Sequence, residues 1–170
     1  MTTDLQYPIG KFSYSKPYSE AERDELIGQI ERAPAELRSA VEALPSGGLD
    51  RPYRPGGWTA RQVVHHVPES HMHSYTRFKF AMTEDSPLIK PYDEAVWAKL
   101  ADVESTDPEV SLALMEALHR RWVAFLRTLK PEDWSRTFRH PELGTVTLDR
   151  TLGLYAWHGR HHAAQVQSIR

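Results

Sequence analysis

The residues in this chain best placed to do chemistry are its histidines. There are nine in 170 residues. Three fall close together in Tyr155-Ala156-Trp157-His158-Gly159-Arg160-His161-His162. His158 and His162 are spaced i, i+4, so on a helix their rings project from one face, one turn apart. That spacing suits two ligands on one metal ion. Their phase adds to the argument. Leu148, Leu152, Tyr155, His158, His162, Val166 and Ile169 follow each other at steps of three and four, as the core-facing seam of an amphipathic helix does. Imidazoles aimed into a core must be satisfied, and a metal is one way to do it. His161 lies about 100° around the helix from His162 and leaves the seam. It reads as a surface or supporting residue.

A second cluster holds His65, His66, His71 and His73. A third ligand from it would complete a three-histidine centre with a position left for water or substrate. Spacing alone leaves the choice open. His65 shares a face with Arg61 and Lys79 and looks solvated. His66 lies with Ser70, His73 and Arg77 at the border of the apolar face, and His71 lies nearest its middle. Pro68 blurs any phase argument across it. His119, beside Arg120 and Arg121, reads as part of a solvated face.

The elements that must position these residues are helices. Residues 1–17 carry Tyr7, Phe12 and Tyr14 without helical period and read as an extended arm packed on its own body. Ser19 and Glu22 form a capping box that starts a first helix, whose stripe runs Leu26, Ile30, Ala33, Leu37, Val41, Leu44. Pro34 within it removes one backbone bond and predicts a kink. Thr59 and Gln62 form a second box, opening a helix to about Met82, with another kink expected at Pro68. Residues 83–107 form a long crossover with a short helix near Asp93 to Leu100. Asp107-Pro108 caps a third helix carrying Met115, Leu118, Trp122, Phe125 and Leu129. A short hairpin over 136–147 precedes the last helix, about Leu148 to Ser168. The sum is an all-α single domain over 1–170. It is a four-helix bundle in up-down-down-up order, with the long crossover letting helices 2 and 3 run parallel.

Composition narrows the function. The formal net charge of -2 supplies no basic surface for a phosphate backbone, which argues against nucleic acid as a partner. Cysteine is absent, which removes disulfides, thiolate ligands and a cysteine nucleophile together. No apolar run approaches the roughly 20 residues of a membrane span. No signal peptide is read at the N-terminus, and a cytoplasmic location is expected.

Several stretches resemble the DinB/YfiT-like superfamily, close to its YfiT branch. They are Arg54-Pro55-Gly56-Gly57-Trp58-Thr59-Ala60-Arg61-Gln62-Val63-Val64-His65-His66, Ser70-His71-Met72, Tyr155 to His162, Trp97-Ala98-x-Leu100, Leu118-His119-Arg120-Arg121-Trp122 and Phe138-x-His140-Pro141-Glu142. The resemblance implies an up-down-down-up bundle, commonly a homodimer. It also implies a metal site made by the histidine eight positions after the tryptophan, here His66, together with His158 and His162. Pro68 departs from the family pattern. The branch is labelled as metal-dependent hydrolases, and similar proteins transfer low-molecular-weight thiols such as bacillithiol or use mycothiol in isomerisation.

Both chemistries suit such a centre. A divalent metal, zinc or nickel first, lowers the pKa of water or holds a thiol as thiolate. With no cysteine in the chain, sulfur must arrive as a cosubstrate. The expectation is therefore a metal-dependent S-transferase joining a bacillithiol-like thiol to a small electrophile. Hydrolysis by activated water, or a metal-stabilised binding protein without catalysis, are the alternatives. On this reading Arg54, Arg77 and Arg160 are candidates for holding thiol carboxylates, although surface pairing is the simpler role for arginine. Glu142 is a candidate proton shuttle, although a turn carboxylate is the simpler reading. Tyr155 and Trp157 read as core.

Overall fold

The structure is a computed structural model that describes residues 4–170, so the first three residues of the expected arm lie outside it. Four long helices form the body: α1 (Glu20–Glu42), α2 (Ala60–Thr83), α5 (Pro108–Leu126) and α6 (Leu148–Gln167). Two short helices, α3 (Glu94–Trp97) and α4 (Ala101–Ser105), lie in the crossover, where one was expected. Each long helix starts at a side chain that satisfies an orphan N–H. The Ser19 and Thr59 boxes form with Glu22 and Gln62, and Asp107 and Thr147 cap α5 and α6. Both α1 and α2 continue through Pro34 and Pro68 as single helices.

Cross-helix contacts give the direction of each neighbour. Arg23 meets Asp149, and Ala33 faces Gly159, so α1 and α6 run parallel. His65 meets Ser111 and His71 meets His119, so α2 and α5 also run parallel. Arg38 pairs with Glu109 and Arg127 with Glu31, which sets α1 against α5. Ser70 meets Tyr155 and His66 meets His162, which sets α2 against α6. The four helices close a ring α1–α6–α2–α5, and taken in chain order, α1, α2, α5, α6, they run up-down-down-up, as expected.

The core has two apolar clusters. One is built on large rings, Phe78, Trp122 and Trp134, with Ile30, Leu148 and Leu152. The other is aliphatic, with Leu37, Val63, Val67, Met115 and Val166. Along every long helix except α1 the histidines fall between these clusters: His71 on α2, His119 on α5, His158 and His162 on α6. The stripe on α1 is Ile27, Ile30, Ala33, Leu37 and Ala40. Leu26, Val41 and Leu44 only flank it.

Two further pieces brace the bundle. Strands β1 (Thr137–His140) and β2 (Gly144–Thr147) pair antiparallel and send Phe138 and Val146 into the core. The arm folds back on α6, as expected. The Tyr14 hydroxyl and the Tyr18 amide both donate to the buried Asp149 carboxylate, which Arg23 neutralises at 2.7 Å. Further out, the Trp157 indole donates to the Gly10 carbonyl at 3.0 Å.

Candidate metal centre

His158 and His162 sit one turn apart on α6, and His66 reaches them from the first turns of α2. Their ligand nitrogens all lie within 4.8 Å of one another. His66 Nε2 and His158 Nε2 are 3.4 Å apart. That is close to the separation of two nitrogens each about 2.1 Å from one tetrahedral ion. Gly159 lets the backbones approach at this level, because a Cβ there would meet the Ala33 Cβ at 2.9 Å. Trp58 packs its edge against His66 at 4.7 Å between ring centroids.

The three rings are held in the form that binds metals. Burial pulls the His66 imidazole down to about 4. Burial first, and then the neighbouring imidazoles, keep His158 and His162 well below the usual histidine range. A neutral imidazole carries one N–H and one lone pair. At His162 the assignment is forced. Gln165 Nε2 donates to the Gln6 carbonyl at 3.1 Å and lies 3.0 Å from His161 Nε2, so its Oε1 accepts from His162 Nδ1 at 2.8 Å. The lone pair of His162 is therefore on Nε2. The donor set fits one divalent ion, and no fourth histidine, cysteine or carboxylate joins the group among the described residues.

The centre lines a cavity of about 930 Å³. Its other walls come partly from α2 and α6, through Ser70, Tyr155 and Trp157 among others, and partly from connecting segments: Gln6 and Tyr7 of the arm, Tyr53 and Arg54 with Gly56 to Trp58 before α2, Pro91 to Glu94 of the crossover, and His140, Glu142 and Leu143 of the hairpin turn. Of the expected ligand-holding arginines, Arg54 and Arg77 line this cavity. Arg160 does not. It is exposed and its Nε donates to the Ala156 carbonyl. Two residues beyond His158, it falls about 200° away around the helix. Glu142 lines the cavity wall from the hairpin turn and is exposed.

Two histidines differ from their expected places. His65 is buried, with Nδ1 2.7 Å from Ser111 Oγ. His119 is 2% exposed rather than solvated, with Nδ1 2.6 Å from the Ile30 carbonyl and Nε2 2.8 Å from His71 Nδ1. The reason is common to both. A helix in a ring of four touches two neighbours, so α2 and α5 each bury a second face. His161 is buried too, and supports His162 through Gln165. His71 is a fully buried core residue, and His73 stacks on Tyr92 outside the centre. Gln165 went unread in the sequence, although its place three residues after His162 was a usable signal.

Known proteins resemble this chain in sequence and fold. The sequence pattern of the DinB superfamily matches residues 29–166. A protein of Bacillus cereus is 53% identical over 167 residues, covering 98% of this chain and 96% of its own, and is named "Putative metal-dependent hydrolase". A relative from Bacillus thuringiensis subsp. konkukian matches equally and bears the same description. The structure of YfiT from Bacillus subtilis, described as "a probable metal-dependent hydrolase with an unusual four-helix bundle topology", superposes with a TM-score of 0.94 at 47% identity. That match covers 98% of this chain and 95% of YfiT. A mycothiol-dependent maleylpyruvate isomerase shares the fold alone, with a TM-score of 0.67 at 16% identity over 85% of this chain and 60% of its own. The chain belongs to the DinB superfamily, among its YfiT-like members.

Proposed function

We propose that this protein is a metal-dependent hydrolase whose divalent ion is held by His66, His158 and His162. The observation that carries the reading is the convergence of three neutral imidazoles at a large cavity, with no fourth ligand of the group among the described residues. Three protein ligands leave room for water or substrate, whereas structural sites are closed by four. An ion bound there supplies Lewis acidity, which acidifies water and polarises a carbonyl. The chain's own residues do the rest. Gln165 orients His162, Trp58 packs on His66, and the connecting segments enclose the substrate. Arg54 and Arg77 present positive charge to it. The relatives' names support water as the nucleophile over the thiol transfer expected from the sequence.

Thiol transfer is the second reading. The absence of cysteine and the two cavity arginines favour it, since they suit an incoming thiol that bears carboxylates. One experiment separates the two. The purified protein and its His162→Ala variant are assayed for bound metal, then for hydrolysis of p-nitrophenyl esters. They are then assayed for conjugation of monochlorobimane with bacillithiol. The expected result is about one metal per chain, lost in the variant, with ester turnover that follows the metal. Metal retained by His162→Ala overturns the site. Conjugation that requires protein and metal, without ester turnover, replaces hydrolysis by thiol transfer.

A further inference from the structure

We propose that His71 and His119 are positioning residues that fix His158 in the tautomer whose Nε2 is unprotonated, through an imidazole relay anchored on the Ile30 carbonyl. The inference rests on the three-histidine site proposed above and adds two residues that touch neither substrate nor ion.

The anchor is a consequence of the sequence. In an α-helix the N–H of each residue bonds the carbonyl four positions earlier. Pro34 has no N–H, so the carbonyl of Ile30 lacks its helical donor. His119 occupies that place from α5, with Nδ1 2.6 Å from the oxygen. A carbonyl can only accept, so the proton is on His119 Nδ1. A neutral ring has one N–H, so His119 Nε2 carries the lone pair and accepts from His71 Nδ1 at 2.8 Å. The two ring planes are 18° apart, which brings donor and lone pair near one plane. The same logic passes through the second ring. His71 Nε2 accepts from His158 Nδ1 at 3.0 Å. The only nitrogen of His158 left without a proton is Nε2, the one that faces His66 Nε2.

Packing keeps the relay in order. His71 is fully buried and His119 nearly so, so water does not compete for their nitrogens. Trp122 and Tyr155 set their edges or faces at near right angles to His71, with centroids at 5.8 and 5.1 Å. Metal-ligating histidines elsewhere are usually oriented by a carboxylate or a carbonyl on the far nitrogen. Here two imidazoles carry a carbonyl's demand across the bundle from α1 to α6. The acceptor is neutral, so the relay directs the ligand without adding a negative charge to the interior.

The test uses the full chain. Nitrogen-15 NMR of the metal-free, histidine-labelled wild type is expected to show His119, His71 and His158 all as Nδ1–H tautomers, assigned with His119→Gln and His158→Asn. Zinc affinity is then measured by chelator competition. His119→Leu removes the anchor and is expected to weaken binding by about 10- to 100-fold and to mix the His158 tautomers. His119→Gln both donates to Ile30 and accepts from His71, and is expected to stay near wild type in both readouts. An Nε2–H tautomer at His158 in the wild type overturns the proposal. So does His119→Leu that keeps wild-type tautomers and affinity. If His119→Leu does not fold by circular dichroism, the wild-type tautomers and His119→Gln decide. A wild type that binds no zinc yet shows the Nδ1–H series overturns the metal reading and leaves the relay standing.

Discussion

Phe78, Trp122 and Trp134 at one end of the bundle, and Leu37, Val63, Met115 and Val166 at the other, are packed by shape. Any neighbour of the right volume serves them, because apolar contacts have no direction. The histidine layer between them is packed by direction. Each imidazole there offers one donor and one acceptor, and each has a particular atom to meet: Ile30 O for His119, His119 for His71, His71 for His158, Gln165 for His162. The ends of this bundle hold the buried apolar clusters, whose burial is the main favourable term in folding. The middle carries the specification, and an error of one ring orientation there would propagate to the next.

Substitutions can break that contrast in order of size. Trp134→Ala empties the aromatic end away from the histidines and is expected to cost about 3–5 kcal/mol, read as a fall in the urea midpoint, with zinc affinity changed less than by His119→Leu as long as the protein is folded. Gly159→Ala forces a Cβ against Ala33 at the level of His158. About 1–3 kcal/mol of destabilisation is expected there, accompanied by weakened zinc binding. Loss of stability with zinc affinity intact would show that the layer tolerates displacement.

Acid sharpens the contrast without a cavity. Burial pulls His119 down to about 4, below its value in the unfolded chain, so the unfolded state takes up the proton first. Stability of the metal-free protein is therefore full above pH 6.5 and falls as pH drops toward 4. His119 contributes at most about 1.4 kcal/mol per pH unit. His119→Gln should flatten that slope in urea titrations at several pH values, and an unchanged slope would refute the assignment. The smallest effect is expected from Thr59→Ala. It removes the cap of α2 well away from the relay, at about 1 kcal/mol, and should leave the tautomers as they are.

The sequence made the α6 seam legible, since one uninterrupted helix displays one stripe and the two histidines lie on it. It also carried the capping boxes and the long crossover that allows parallel neighbours. The burial of His65 and His119 was hidden, because periodicity reports the dominant face of a helix and each of these residues lies on a second buried face. The choice of His66 over His71 was open for a related reason: both point inward, one to the cavity and one to the relay. Arg160 could have been separated from Arg54 and Arg77 by helical phase. The role of Pro34 was half legible. The missing N–H was readable, and the residue that takes its place on the Ile30 carbonyl comes from a helix nearly ninety positions later.

The cavity walls divide labour in one more respect. The histidines stand on α2 and α6, while the arm, the loop before α2, the crossover and the hairpin turn supply much of the rest of the cavity lining. Connecting segments accept insertions and exchanges that core helices do not. This architecture therefore separates the inheritable reactor from its replaceable nozzle. Descendants of one bundle can change what the cavity admits by rewriting residues 53–57, 91–94 and 140–143 while the three imidazoles, with Trp58 against His66, pass on unaltered.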